Sequence, residues 1–317
     1  MDQGVDQVVE HGQTVIEKGS KSFAAAARLF DPETRGRAYM LYAWCRHCDD
    51  VTDEQVLGFR KGSPSEPGPS AEERLANLEG QTRRALAGEA VDEPAFAALQ
   101  EVVRRHQIPE RYPLDHLKGF AMDVEGVRYR TLDDCCRYCY HVAGVVGVMM
   151  SHVMGARDED TLDRASDLGL AFQMTNIARD VMDDAAAGRV YLPEVWLREV
   201  GVPVTEVARP EHRPAVHRVT ERLLDEAERH YASAQVGLSR LPFRSAWAVA
   251  TARRVYRDIG RLVRERGPQA WDRRASTGRG RKLVLALAAA GDAVAATGRG
   301  YRQRAPSRDG LWTRPRG

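Results

Sequence analysis

Residues 168–184 read LGLAFQMTNIARDVMDD, and the fold follows from how this stretch is threaded onto a helix. At about 100° per residue, Gln173, Asn176, Asp180 and Asp184 fall on one face, while Leu168, Leu170, Phe172, Met174, Ile177, Val181 and Met182 fill the other positions. A helix that is apolar nearly all round belongs in the centre of a bundle. Carboxylates set in such a helix are costly unless a cation or hydrogen-bond donors offset their charge, so the polar stripe points into something polar. Arg179 follows the same helix and can reach an anion beside that face.

A second stripe lies in LYAWCRHCDDVTDE, residues 41–54, where Tyr42, Arg46, Asp49 and Asp53 share one narrow helical face. This stretch offers a metal two homes, because Cys45 and Cys48 form a C-x-x-C pair and Cys136 and Cys139 form another. Paired C-x-x-C motifs hold zinc when they sit on tight turns. Here both lie in apolar helices, where free cysteine is a common packing residue, so the reading favours the aspartates, with Cys45 and Cys48 packing the back of their helix. The bland alternative makes both clusters solvated helix faces, with Arg46 paired to Asp49 or Asp50 and Arg179 paired to Asp183. Two D-x-x-x-D clusters, each in an apolar helix and each with a polar partner on its face, weigh against that alternative.

Such stripes suit hard-cation chemistry. Magnesium takes oxygen ligands and is typically held by one or two carboxylates together with the phosphates of a substrate. Two facing stripes could clamp a diphosphate between them, and cation and arginine together would make it a good leaving group. No strand-linked G-x-G-x-x-G, no G-x-x-x-x-G-K-[ST] and no H-E-x-x-H occurs. Ionisation of a substrate in an apolar cavity is the chemistry that remains.

The 317 residues, 43% hydrophobic and 29% charged, allow a large core. Apolar residues recur at helical spacing almost throughout, which gives an all-α, single-domain bundle around a central cavity over residues 1–302. Breaks fall near 62–70, 185–194, 201–214 and 271–282, and residues 303–317 read as a disordered basic tail. The 19 residues from Tyr138 to Ala156 contain no Asp, Glu, Lys or Arg, but their histidines and glycines fit a buried helix better than a membrane span. Neither a secretory leader nor a disulfide framework is apparent, so a reducing cytoplasm is expected. From Arg273 onward there are 11 Lys and Arg against 2 Asp and Glu, which leaves 36 against 43 in the rest. That asymmetry suits an anionic ligand or lipid surface, or equally a merely solvated basic tail, and no nucleic-acid signature accompanies it.

The segments GSKSFAAAARLF (19–30), LYAWCRHCDDVTDE (41–54), RYCYHVAGVVG (137–147), LAFQMTNIARDVMDDAAAGRVYLP (170–193) and RSAWAVATARRVYRDIG (244–260) resemble the squalene and phytoene synthase family, most of all its bacterial phytoene synthases. The resemblance implies an isoprenoid synthase fold and head-to-head condensation of two geranylgeranyl diphosphates to phytoene. Carried over position by position, it makes Asp49, Asp53, Asp180 and Asp184, with Asn176, the residues linked to Mg2+ or Mn2+. Tyr42, Arg46, Gln173, Arg179 and Tyr191 would meet diphosphate or the reacting carbons. Ser20, Ser22 and Phe23 would line the entrance, and Tyr138, Val142 and Tyr256 would border the cavity. Arg274, rather than Arg273, would be the loop arginine on diphosphate. Asp183 stands where many relatives carry Glu. The resemblance further implies no NADPH for the phytoene reaction, a cytoplasmic enzyme peripherally bound to the inner membrane, and contact with other enzymes of carotenoid or isoprenoid synthesis. A synthase acting on farnesyl diphosphate to give squalene or dehydrosqualene is the alternative within the family.

Overall fold

The computed structural model describes residues 3–52, 55–56, 59–60, 68–296, 298 and 307–316. Its helices are α1 (Gln3–Gly19), α2 (Lys21–Ala27), α3 (Pro32–Thr52), α4 (Ala71–Leu86), α5 (Pro94–His106), α6 (Arg111–Val124) and α7 (Leu132–Cys139). They continue with α8 (Val145–Val153), α9 (Glu159–Ala186), α10 (Glu194–Glu199), α11 (Arg213–Gly237), α12 (Phe243–Arg266) and α13 (Arg279–Ala296). A two-stranded antiparallel ribbon pairs Gln55–Val56 with Phe59–Arg60.

Local chemistry sets several helix starts. Ser70 and Glu73 form a reciprocal capping box on α4, Thr131 and Asp134 do the same on α7, and the Asp158 carboxylate accepts from the Thr161 amide to open α9. The quoted stretch lies in the second half of α9, a 28-residue helix running through the middle of the bundle. Helix α11 packs along it, and α8 and α12 close around it. Two glycines let α8 and α9 approach backbone to backbone. A Cβ on Gly147 would stand 2.4 Å from the Ala165 carbonyl oxygen, and one on Gly169 would stand 2.3 Å from that of Ala143.

The charge-free stretch from Tyr138 is not one long helix. It runs from α7 through a π-helical turn at Tyr140–Gly144 into the nine-residue α8, and no described helix is long and apolar enough to cross a membrane.

The carboxyl-terminal segment departs from the sequence expectation. Residues 303–306 lie outside the described residues, but 307–316 are not a loose tail: they are laid against α9. Arg308 donates to Asp167 (2.7 and 3.0 Å) and to Asp163, Arg316 pairs with Asp163, and Arg314, whose side chain is 0% exposed, sits between Glu159 and Asp163. The Trp312 ring lies 5.5 Å from that of Tyr140. The reason is electrostatic. Glu159, Asp163 and Asp167 form an acidic row on the amino-terminal half of α9, and Asp163 and Asp167 are buried, so they require the cations that the tail supplies.

Candidate active site

A cavity of about 340 Å³ runs beside α9. Its lining on that helix extends from Thr161 through Arg164, Ala165, Leu168, Gly169, Phe172 and Gln173 to Asn176. Fifteen residues of helical rise make this roughly 22 Å long. The walls are largely aliphatic or small, including Ala27, Ala38, Val142, Ala143, Gly147, Ala234 and Ala248. At one end Gln173 and Asn176 line it together with Tyr42 and Cys45 of α3, and Ser151, Thr161 and Arg164 add polar groups farther along.

Tyr42 brings the α3 stripe to this cavity, and Gln173 and Asn176 bring the α9 stripe. On α3, Arg46 grips Asp50 (2.6 and 3.0 Å) and Asp49 (2.9 Å), with the arginine side chain 17% exposed. This is the pairing the bland alternative foresaw; Asp50 is largely covered at 15% exposed, whereas Asp49 remains 42% exposed. Asp53 lies outside the described residues. On α9, Arg179 pairs with the adjacent Asp180 instead of Asp183, its Nε donating to Oδ1 at 2.8 Å, and Arg274 reaches the same carboxylate at 2.9 and 3.1 Å. Asp180 therefore carries two guanidinium groups. Burial alone would raise its pKa, but the two arginines bring it below the usual carboxylate range. Asp184, one turn on, goes the other way and is pushed up to about 7, first by burial and then by the charge of Asp180. Arg273 contributes only its carbonyl, which accepts from Arg266.

The donor set fits a hard cation. The stripes supply carboxylates and side-chain amides, the buried Oδ1 of Asn176 has no hydrogen-bond partner among the described residues, and Asp184 lies in an excess of negative charge that a cation would relieve. Among the described residues no three His, Cys, Asp or Glu converge on one point. The cysteines offer no alternative. Cys48, Cys135, Cys136 and Cys139 are buried in the core, and burial drives the Cys48 and Cys139 thiols far from the thiolate form that binds metal. Cys45 differs from its expected place, because it lines the cavity rather than packing behind α3.

The aromatic residues divide into two groups. Phe23 lies between Tyr42 (6.3 Å), Phe172 (5.8 Å) and Tyr256 (5.1 Å, stacked), and Phe172 and Tyr256 are 4.4 Å apart. Ser20 caps α2, accepting from the Phe23 amide at 3.2 Å, and hydrogen-bonds with Tyr256, whose pKa burial pushes up to about 12. Ser22 is half-buried beside Phe23 and is not part of the cavity wall, whereas Val142 is.

The second group is Tyr138 and Tyr191, stacked at 4.6 Å, both donating at 3.0 Å to the carboxylate of Asp123 on α6. Tyr129 closes the cluster. It borders a separate hollow of about 380 Å³ that includes Asp123, Arg189 and Tyr191 beyond the Asp184 end of α9. Asp123, Tyr129 and Tyr231, the last bonded to Thr175 at 2.9 Å and ringed against Phe172, were not found from sequence. They come from three other parts of the chain, and no local spacing connects them to either stripe.

The sequence profile of the squalene/phytoene synthase family matches residues 16–281. The chain belongs to this family. It is 55% identical to a 15-cis-phytoene synthase of Pantoea ananas over 97% of this chain and 98% of that one. With a 15-cis-phytoene synthase of Enterobacter agglomerans it shares 57% identity over 95% of this chain and all of the other. Among solved structures, a dehydrosqualene synthase superposes with a TM-score of 0.80 at 27% identity, covering 90% of this chain and 96% of that one. A squalene synthase of Alicyclobacillus acidocaldarius, at 24% identity and a TM-score of 0.72 over 84% of this chain and 97% of the other, shares the fold. The all-α architecture expected from the helical spacing, and the isoprenoid synthase fold that the resemblance implied, are thus the observed ones.

Proposed function

We propose that the protein is a prenyltransferase that joins two molecules of geranylgeranyl diphosphate head to head to give 15-cis-phytoene. The observation that carries the reading is a long, largely apolar cavity lined by Tyr42 of one arginine-gripped acidic stripe and by Gln173 and Asn176 of the other, in a chain 52–57% identical to relatives named phytoene synthase. Those relatives favour the C20 reaction over the farnesyl alternative.

In the first step the C1–O bond of one substrate breaks and diphosphate leaves. The allylic cation alkylates the double bond of the second substrate, and proton loss gives a cyclopropyl diphosphate. Loss of the second diphosphate, rearrangement and loss of another proton then yield the C40 hydrocarbon. Asp49, Asp53, Asp180 and Asp184, with Asn176, would hold Mg2+ or Mn2+, which supplies positive charge to the departing diphosphate. Arg46, Arg179 and Arg274 lie beside those carboxylates and can pass from them to diphosphate oxygens as substrate enters. Tyr42 and Gln173 line one end of the cavity. Phe23, Phe172 and Tyr256 present ring faces and edges without a basic atom, a surface that stabilises a carbocation and keeps water away from it.

Tyr138 and Tyr191, fixed by Asp123, border the Asp184 side. An amphiphilic substrate and a hydrocarbon product also call for peripheral association with a membrane, where contact with neighbouring enzymes of carotenoid synthesis would occur. The test is incubation of the purified protein with geranylgeranyl or farnesyl diphosphate and Mg2+, with and without NADPH, and identification of the hydrocarbon by mass. Phytoene from the C20 substrate without reductant is expected. A C30 product from farnesyl diphosphate alone would overturn the C20 assignment.

A further inference from the structure

The basic carboxyl-terminal region suggested a lipid contact, but its arginines at 308, 314 and 316 are spent on α9 and Arg274 on Asp180. A different surface is open. On α13, Leu283 and Leu287 are each 64% exposed, with Val284 and Val294 only slightly less so, and Ala288, Gly291 and Ala295 complete the same exposed side. Beyond Lys282 the only charged side chain of this helix is Asp292, which Arg254 engages at 2.6 and 2.7 Å. From Leu283 to Val294 the strip is therefore purely apolar over roughly 16 Å. Soluble surfaces seldom leave large aliphatic side chains aligned in this way without a partner. Beside it, Phe243 is exposed and paired with Trp247, whose indole donates to the Ala286 carbonyl at 2.7 Å and so fixes the strip on α12.

The first turn of α13 has the opposite character. Arg279, Arg281 and Lys282 gather there, and Lys21 of α2 is close enough to Lys282 to act, after burial, in lowering its pKa. Arg281 is held by Asp258, but Lys21, Arg279 and Lys282 have no ion-pair partner among the described residues. We propose that the outer face of α13 is the surface on which the protein lies against an anionic phospholipid bilayer, its aliphatic strip and Phe243 entering the headgroup–acyl boundary and the exposed Lys21 and Arg279 meeting lipid phosphates, while the half-buried Lys282 stays on the inner face with Leu285, Ala289 and Ala293. An in-plane helix with an apolar face and a cationic end is the form such binding takes. A second copy of the chain fits less well. A single-helix strip of about 16 by 10 Å offers some 160 Å², against about 800 Å² per partner in a stable interface.

The inner face of α13 gives the contact a consequence. Ala289, Ala293 and Ala296 pack on Leu238, Ala246 and Ala250, and Leu238, with Leu241 and Val249 of the same cluster, lines the cavity. One layer of side chains separates the strip from the apolar cavity. If the prenyl reading above is right, this contact sets the hydrocarbon-binding end of the cavity beside the lipid acyl chains.

The test is flotation of the full-length protein with vesicles of phosphatidylcholine alone or mixed with phosphatidylglycerol, without substrate. Wild type is expected to float with the mixed vesicles, L283E/L287E to lose at least about tenfold in bound fraction, and K21E/R279E to lose the preference for the anionic mixture. Turnover of detergent-dispersed substrate and thermal unfolding should be unchanged in L283E/L287E. Wild-type protein that fails to float, or a variant that floats as well as wild type, would overturn the proposal. So would sedimentation showing that L283E/L287E converts a dimer into a monomer, because the strip would then belong to a second copy. Should wild type bind vesicles yet form no phytoene, the functional reading fails and this one stands.

Discussion

Replacing Asp180 by Asn tests the centre of the site with almost no change of shape. Both carboxylate oxygens are occupied, by Arg179 and by Arg274 at 2.9 and 3.1 Å, so two positive groups share one negative charge. At about 4 Å and an effective dielectric of 20, a unit charge interacts with another by roughly 4 kcal/mol. The amide can still accept one hydrogen bond from Arg179, so part of the geometry survives while the charge is lost. If that charge anchors the cation and arginines that draw off diphosphate, turnover should fall by about 10²–10³, or roughly 2.7–4 kcal/mol of transition-state stabilisation. Loss of a charge-assisted partner for the buried Arg179 should cost about 1–3 kcal/mol of stability, which leaves a folded protein. The Arg274→Gln change supplies the contrast. Its side chain is 65% exposed, so its pair with Asp180 contributes at most about 1 kcal/mol to folding. Its effect should appear in the reaction and not in the melt. Single-turnover reaction with labelled geranylgeranyl diphosphate, quenched and analysed for released diphosphate, measures the first ionisation directly. A folded Asp180→Asn protein within about threefold of the wild-type rate would refute this assignment.

Asp123→Asn removes the carboxylate that receives both Tyr138 and Tyr191; turnover at saturating substrate should fall about 10- to 100-fold, equivalent to one or two weakened charge-assisted hydrogen bonds, and an unchanged rate would show those tyrosines to be positioned by packing alone. Removing residues 307–317 takes Arg308, Arg314 and Arg316 from the buried Asp163 and Arg308 from the buried Asp167, which keeps His230 and Ser233, and should destabilise the fold by up to about 3–5 kcal/mol, read by chemical denaturation. In the intact chain burial tends to raise the Asp167 pKa, but His230 and Arg308 hold it below the ordinary value. The resulting stabilisation is complete above an unfolded pKa near 3.9 and disappears as pH falls through the lower folded value; a truncation penalty that persists at the acid end would contradict it. Gly169→Ala drives a Cβ to 2.3 Å from a backbone oxygen and should cost at least about 1–3 kcal/mol, whereas Gly80→Ala, with nothing within 4 Å on exposed α4, should stabilise by roughly 0.5–1 kcal/mol. Ala248→Phe places a ring in the cavity and should lower the ratio of C20 to C15 turnover by at least about tenfold; an unaltered ratio would move the prenyl chain elsewhere.

What could be read in advance was whatever repeats with the pitch of a helix. The stripes at 42–53 and 173–184 were legible because the spacing that puts their residues on one face is a local property of the chain. The arginine partners were only half legible. Arg46 pairs within its own turn and a turn away, as spacing allows, but Arg274 reaches Asp180 across 94 residues. The docked tail was misread for a related reason. Its composition is that of a disordered segment, and what orders it is an acidic row on another element. Yet Glu159, Asp163 and Asp167 recur at four-residue intervals in a helix already judged to be buried, which is the same argument that identified Asp180 and Asp184. Applied to the whole helix, that argument would have demanded cations at both ends of α9, and the arginine-rich tail was the available source.

The π-helical turn at Tyr140–Gly144 shows why the remaining part of the site could not be read from spacing. A strict 3.6-residue count through 138–153 assigns the residues on either side of the turn to one continuous set of faces, whereas an i→i+5 turn inserts extra rotation without a sequence mark. Before it, Tyr138 points to Asp123 of α6; within and beyond it, Val142, Ala143, Val146 and Gly147 line the cavity and Gly147 meets the backbone of α9. The turn is held by side chains on both sides, with His116 Nδ1 3.0 Å from the His141 carbonyl and His141 Nδ1 2.8 Å from the Asp115 carbonyl. It gives one stretch of chain two orientations, so that the Tyr138–Asp123 contact beside the second hollow and the apolar wall of the main cavity are built from consecutive turns. A charge-free stretch that resembles a membrane span in composition is, on this account, the hinge between those two surroundings.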